Sequence, residues 1–213
     1  MLWWIHFILA CLRIICGIKI EVTNHNAEPL PRPAVILSNH QSTLETWFLQ
    51  LKFWPLATIL KKELLLLPFF GWGLALFQPI TIDRATRIQA AKQVRTKGVE
   101  RLRQGQSVLI FPEGTRVPVG ESRPFARSGV DLAAAAGVPV IPVAHNAGEH
   151  WPARSFLKYP GTIRFIVGKA IDTSSRSSRD IIQEVQQWVM AGGQMPEPTS
   201  SVEHEPQAAA KSA

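Results

Sequence analysis

Cysteine is scarce in this sequence. Only Cys11 and Cys16 occur, both within an apolar segment, which excludes a disulfide framework and a cysteine-based zinc site. A reducing compartment is the simplest setting for such a chain. We interpret both cysteines as small apolar side chains of a buried or lipid-facing helix.

Other absences exclude whole classes of function. The chain of 213 residues has one tyrosine and no aromatic-basic ribonucleoprotein pattern, so we expect no nucleic-acid partner. No Gly-x-Ser-x-Gly elbow occurs, which argues against a serine hydrolase. His145, Glu149 and His150 match neither H-E-x-x-H nor H-x-x-E-H, and we therefore predict no metal site.

Long apolar runs are also missing. A spanning helix needs about 20 apolar residues, and Arg13 interrupts the apolar segment at residues 2–18 near its middle. We therefore predict that residues 1–18 form a membrane-associated helix that lies in the interface or enters one leaflet. The segment lacks the basic start and the cleavage site of a signal peptide. A second apolar patch, residues 64–77, is either a core helix or a wall of an acyl-chain pocket.

The residues that are present suffice for a full core, since 46% are hydrophobic. Strand-like apolar runs alternate with helix-like segments, which predicts one α/β domain at residues 19–192 with a mostly parallel central sheet flanked by helices. Residues 193–213 are rich in Pro, Ser, Glu and Ala and are predicted to be disordered. Because this tail is acidic and the formal net charge is +7, the folded part is distinctly basic and suits anionic partners.

Polar residues follow four of the predicted strands. They are Asn39-His40, Asp83-Arg84, residues 113–116 and His145-Asn146. The carboxyl ends of parallel strands gather at one edge of a sheet, so we expect a basic site there. Arg84 and Arg116 can clamp a phosphate, Lys61 can add a point charge, and Gly114 permits close backbone approach to a ligand.

The segment from His40 to Glu45 has two interpretations. His40 at the mouth of a strand-to-helix turn suits a general base, and Glu45 suits its orienting partner. Ser42 and Glu45 also match the S-x-x-E capping box of a helix start, in which the carboxylate serves only backbone N–H groups. The spacing of the residues leaves both interpretations open.

Four sequence blocks in order give a resemblance to a known family. The first block, H-x4-D, is present as His40 to Glu45, with glutamate in place of aspartate. The others are residues 71–84, the Phe-Pro-Glu-Gly-Thr-Arg segment at 111–116, and residues 140–146. On these blocks the chain resembles the 1-acylglycerol-3-phosphate O-acyltransferase family of bacterial type, and the resemblance covers about residues 17–168. It departs from that pattern in Glu45 and in a shorter hydrophobic segment before the first strand.

The resemblance implies a glycerolipid acyltransferase fold and a function in phospholipid biosynthesis at the cytoplasmic side of the inner membrane. The implied reaction transfers an acyl group from acyl-CoA or acyl carrier protein to the sn-2 hydroxyl of lysophosphatidic acid, with no cofactor. The implied site comprises catalytic His40 and Glu45 and the substrate-binding residues Lys61, Arg84, Glu113, Gly114, Thr115 and Arg116. Two alternatives remain: another lysolipid acceptor, such as a lyso-ornithine lipid, and a basic peripheral lipid-binding protein that does no chemistry.

Overall fold

The computed structural model describes residues 2–66, 70–75, 77–82 and 87–194. The strands are β1 (Ile18–Asn24), β2 (Val35–Ser38), β3 (Leu56–Lys61), β4 (Ile80–Ile82), β5 (Ser107–Ile110), β6 (Val140–His145) and β7 (Gly161–Val167). The helices are α1 (Trp3–Ile15), α2 (Leu44–Lys52), α3 (Phe70–Ala75), α4 (Arg87–Arg103), α5 (Ser128–Ala136), α6 (Ala147–His150) and α7 (Ser178–Met190). A 3-10 turn, Lys62–Leu66, follows β3.

The strands form a seven-stranded sheet in the order β1-β7-β6-β2-β5-β3-β4. The five strands from β6 to β4 in this order are parallel, so their carboxyl ends share one edge. β7 pairs antiparallel with β6, and β1 pairs parallel with β7, so β1 and β7 run in the opposite direction to the other five strands. The prediction of an α/β fold with a mostly parallel sheet is confirmed.

Helices cover both faces of the sheet because inner-strand residues alternate between two apolar clusters. In β2, Val35 and Leu37 join the cluster with α4, α5 and α7, whereas Ile36 joins the cluster with α1 and α2. All three side chains are fully buried. Continuous apolar runs of this kind are typical of parallel strands buried on both faces. The sheet is therefore a rigid platform for the loops at its carboxyl edge.

The N-terminal helix α1 is shorter than the predicted segment. It buries Ile5 and Leu12 against the sheet and leaves Trp3, Phe7, Ile14 and Ile15 exposed. Among the residues that the structure describes, no helix combines the length and apolarity needed to cross a bilayer.

The apolar patch predicted at residues 64–77 is described only in part. Phe77 is buried, with ring centroids 6.3 Å from Trp4 and 5.8 Å from Trp54, so it belongs to the core beneath α1. Leu66 and Trp72 are exposed instead. Residues 67–69 and 76 lie outside the described residues, as do 195–213 of the predicted tail.

Candidate active site

The turn between β2 and α2 brings His40 and Glu45 together. The Nδ1 atom of His40 lies 2.8 Å from Oε1 of Glu45, whose side chain is fully buried. Two helical residues five apart would point about 140° away from each other. His40 can pair with Glu45 because it precedes the helix, where the chain is still turning.

The same carboxylate oxygen also binds the backbone of the turn. Oε1 of Glu45 accepts hydrogen bonds from the N–H of Ser42 at 2.8 Å and from the N–H of Gln41 at 3.1 Å. The Ser42 hydroxyl accepts from the N–H of Leu44 at 3.3 Å, so only the carboxylate half of the capping box forms. Both interpretations of Glu45 therefore hold at one atom, whereas Oε2 is buried and has no hydrogen-bond partner among the described residues.

His40 is held in the tautomer that a general base needs. Because a carboxylate can only accept, Nδ1 carries the proton, and in a neutral imidazole this leaves a lone pair on Nε2. Nε2 makes no hydrogen bond with any residue that the structure describes, and 17% of the side chain is exposed. The ring stacks on Phe111, with centroids 3.9 Å apart and an angle of 12° between the planes. The imidazole is thus fixed in place, and part of it is open to solvent.

The loop after β5 holds the backbone of His40. Its Glu113 accepts the N–H of His40 on Oε2 at 3.2 Å, and the N–H of Val117 donates to the His40 carbonyl at 2.8 Å. Gly114, with φ of +72°, closes a turn by donating to the carbonyl of Phe111 at 3.0 Å. A β-branched or bulky residue would be strained at this φ, so glycine lets the loop turn back onto His40.

Burial raises the pKa of the Glu113 carboxyl from 4.5 to about 7. The negative charge of Glu45 adds to the increase, whereas the hydrogen bond from the His40 N–H and the charge of Arg123 oppose it. Near neutral pH the Glu113 carboxyl is therefore only partly ionised. It accepts a hydrogen bond from the backbone of the candidate base.

The structure describes some of the predicted phosphate-binding residues and not others. Gly114, Thr115 and Arg116 are exposed in the loop after β5, and Arg116 forms no ion pair with the described part of the chain. Lys61 is the last residue of β3 and so lies at the same edge of the sheet. Arg84 falls outside the described residues.

The fourth polar strand end has a structural role. The backbone N–H and C=O of His145 bond to the side chain of Asn39, at 3.1 and 2.8 Å, and its Nε2 donates to the Asn39 carbonyl at 2.9 Å. Nδ1 accepts from the N–H of Ala147 at 3.2 Å. Burial lowers the pKa of His145, which keeps the ring neutral. Our expectation that this strand end adds a polar group to a basic site is corrected for His145, since both ring nitrogens are occupied.

Asn39, Phe111 and Val117 support the site through contacts that the sequence did not predict. Asn39 joins β2 to β6, and the other two join the His40 loop to the loop after β5. Phe111 stands in the third sequence block, which was a usable signal. Nothing local in the sequence pairs Asn39 with a residue 106 positions away.

One cavity borders the His40 loop, and another lies under α1. A cavity of about 480 Å³ lies on the side of β6 and β7, lined in part by Gln41, Glu113, Asn146 and Arg164. A smaller apolar one of about 40 Å³ lies under α1, between Trp4, Trp47, Leu60 and Phe77. Within the described residues, no three His, Cys, Asp or Glu side chains converge as they would around a metal ion.

Comparisons with known proteins agree with this geometry. A family model described as Acyltransferase matches residues 19–146. The 1-acyl-sn-glycerol-3-phosphate acyltransferase of Pseudomonas aeruginosa is 48% identical over 190 residues, which cover 87% of this chain and 73% of that protein. The human 1-acyl-sn-glycerol-3-phosphate acyltransferase beta is 32% identical over 168 residues, covering 78% of this chain and 60% of its own length.

A solved structure has the same fold. The crystal structure of the 1-acyl-sn-glycerophosphate (LPA) acyltransferase from Thermotoga maritima superimposes with a TM-score of 0.72 at 25% identity. The match covers 90% of this chain and 78% of that one.

Proposed function

Because the chain belongs to the acyltransferase family, we propose that it transfers a fatty acyl group from a thioester to the sn-2 hydroxyl of 1-acylglycerol 3-phosphate, forming phosphatidic acid. The observation that carries the proposal is the His40–Glu45 pair, in which Nδ1 is bonded at 2.8 Å and Nε2 remains open. The names of the relatives support this choice of acceptor.

In the proposed reaction, Nε2 of His40 takes the proton of the acceptor hydroxyl as its oxygen attacks the thioester carbonyl. The C–S bond breaks, and the thiolate leaves with the proton returned by the imidazolium. Glu45 stabilises the imidazolium that forms between these two transfers, as the carboxylate of a catalytic triad does. The ester oxygen comes from the acceptor, and no acyl-enzyme forms.

In this proposal the acceptor binds to basic residues at the carboxyl edge of the sheet. Arg116 offers two parallel N–H donors to a phosphate, and the exposed backbone at Gly114 and Thr115 can approach it closely. We assign Arg84 and Lys61 to the same phosphate. Glu113 acts by holding His40, so that phosphate binding and base alignment depend on one loop. The phosphate lies away from the hydroxyl that reacts, and the free energy of its binding then serves to orient that hydroxyl.

We propose that the acyl donor is acyl-CoA or acyl carrier protein, which a basic surface suits, and that no further cofactor takes part. Helix α1 lies in the membrane interface, with Trp3, Phe7, Ile14 and Ile15 as its exposed apolar side chains. We propose that this membrane is the inner membrane and that the catalytic domain lies on its cytoplasmic side.

Thiol release by detergent-solubilised protein tests the function. With an acyl thioester present, lysophosphatidic acid should raise thiol release far above the rate without acceptor, and phosphatidic acid should accumulate in equal amount. A lyso-ornithine lipid, which lacks the phosphate, is the control acceptor. A faster rate with that lipid would change the acceptor, and the absence of acceptor-dependent release would leave only a lipid-binding protein.

A further inference from the structure

The loop at residues 151–160, between α6 and β7, exposes large apolar side chains. Phe156 is 95% exposed, Leu157 62% and Tyr159 48%. Single exposed apolar residues are ordinary, but three within four positions form a contiguous patch of the kind that marks a binding surface. Nothing in the reaction proposed above uses this loop.

The loop is held in shape by its own hydrogen bonds. The Ser155 hydroxyl accepts from the N–H of Leu157 at 3.1 Å, and Nζ of Lys158 donates to the carbonyls of Phe156 and Ser155 at 2.7 and 3.3 Å. The N–H of Tyr159 donates to the carbonyl of His150 at 2.8 Å. These bonds pair the N–H groups of Leu157 and Tyr159 and the carbonyls of Ser155 and Phe156, which lowers the cost of moving the tip from water into an apolar phase.

Both ends of the loop are joined to the region of α1. At its end, Gly161 pairs with Ile18 in the sheet and donates to the carbonyl of Gly17, just after α1. At its start, Trp151 packs edge-on against Trp47 of α2, and Trp47 packs in the same way against Trp4 of α1, each pair 5.7 Å apart. Both ends of the loop therefore lie close to α1.

The charges of the loop and of α1 indicate what kind of partner they contact. Residues 151–160 contain Arg154 and Lys158 and no carboxylate, and α1 likewise contains exposed Arg13 and no carboxylate. Aromatic and apolar side chains interspersed with Arg and Lys are the composition that seats proteins at an anionic bilayer interface. Lys158 lies 4.4 Å above the Trp151 ring, which keeps a cation beside the apolar tip.

We propose that the 151–160 loop is a second membrane-contact site, which inserts Phe156 and Leu157 into an anionic bilayer beside α1. The inference rests on the proposed function, since a lipid acceptor must pass from the bilayer to His40. Two contacts give a far firmer attachment than one short apolar segment. They also fix the rotation of the domain about α1, so that the carboxyl edge of the sheet keeps a constant orientation to the lipid.

Vesicle sedimentation without any substrate tests the loop directly. The double substitution Phe156→Ser/Leu157→Ser should lower partitioning into vesicles containing phosphatidylglycerol by about tenfold, from the loss of two interfacial side chains. The matched control is Met190→Gln on α7, which is 49% exposed on the opposite face of the sheet and should leave partitioning unchanged. Circular dichroism of both variants should match that of the unsubstituted protein.

Equal partitioning of the double variant and the control would overturn the proposal. It would also be overturned if the double substitution converted a dimer to a monomer in sedimentation equilibrium without changing vesicle binding, since the loop would then contact a second copy of the chain. Acyl transfer to an acceptor dissolved in detergent should survive the double substitution. A protein with no transfer activity at all would refute the proposed reaction and leave the vesicle result standing.

Discussion

His40 and His145 lie at the carboxyl ends of two neighbouring parallel strands, and their ring nitrogens have different partners. His40 uses Nδ1 for a buried carboxylate and keeps Nε2 free of any described partner. His145 uses both ring nitrogens for backbone groups and is 8% exposed. Position at the carboxyl edge therefore does not make a histidine a base. What matters is a spare nitrogen together with a charge that supports the imidazolium.

The largest expected effect comes from His40. His40→Ala removes the proposed base, and we expect kcat to fall by about 10³-fold, within the range of general-base losses. The free energy of unfolding should change by only about 1 kcal/mol, because Glu45 keeps its bonds to the N–H groups of Gln41 and Ser42. Thioester turnover and urea unfolding measure the two quantities. A variant that kept a near-normal rate would remove His40 from the chemistry.

His145→Ala should have the reverse profile. It leaves the Asn39 carbonyl and the Ala147 N–H without partners in a buried site and opens a cavity, so we expect a loss of about 2–4 kcal/mol in unfolding free energy. The kcat per folded molecule should fall less than about tenfold. If the rate fell as far as in His40→Ala while stability was kept, the contrast between the two histidines would be wrong.

Glu113→Gln tests a second difference between the two histidines. A carboxyl with a raised pKa holds the backbone of His40, whereas His145 has no such contact in the described part of the chain. The unfolded carboxyl ionises near 4.5 and the folded one near 7, so the folded state holds the proton more tightly between these values. The unfolding free energy of the unsubstituted protein should therefore decrease as pH rises from 4.5 to about 7.

The glutamine variant retains an acceptor for the His40 N–H and has no proton to lose. Its stability relative to the unsubstituted protein should rise by about 1–3 kcal/mol across that window, a range reduced for partial solvent access. Urea titrations at a series of pH values provide the measurement. Parallel pH profiles for the two proteins would show that burial of Glu113 does not raise its pKa.

Ser42→Ala should have the smallest effect. Its hydroxyl accepts one bond of 3.3 Å from the Leu44 N–H, so its loss should cost about 0.5–1 kcal/mol of unfolding free energy. The kcat should not change, because Glu45 reaches His40 without the hydroxyl. A reduced rate at full stability would connect Ser42 to the chemistry. Its role in the turn would then not be structural only.

Much of the fold can be predicted from periodicity. Val35 to Leu37 and Val140 to Val143 are buried continuously, and such runs predict inner parallel strands. The directions of β1 and β7 cannot be predicted in this way, since alternation within a strand is the same for either direction. The reversal of β7 is set by its antiparallel pairing with β6, and β1 takes the same direction by pairing parallel with β7, between residues more than a hundred positions apart.

The candidate site is predictable in its residue types and less so in its bonds. His40 and Glu45 stand out because a base and a carboxylate follow a strand. The sequence predicts a capping role or an orienting role for Glu45, whereas the structure assigns both to Oε1, because the turn directs the N–H groups and the imidazole to one point. The Glu113 contact with His40 is a long-range pairing with no local signature. The role of Arg84 stays a prediction.

The edge-to-face contacts of Trp4, Trp47 and Trp151 give the protein a built-in optical reporter. The three indoles belong to α1, α2 and the 151–160 loop, and Trp47 is two residues from Glu45. The chain has seven tryptophans, so a variant that keeps only these three would report the separation of α1 from α2 as a shift in its emission. The seating of the N-terminal helix can thus be followed in real time without an attached dye.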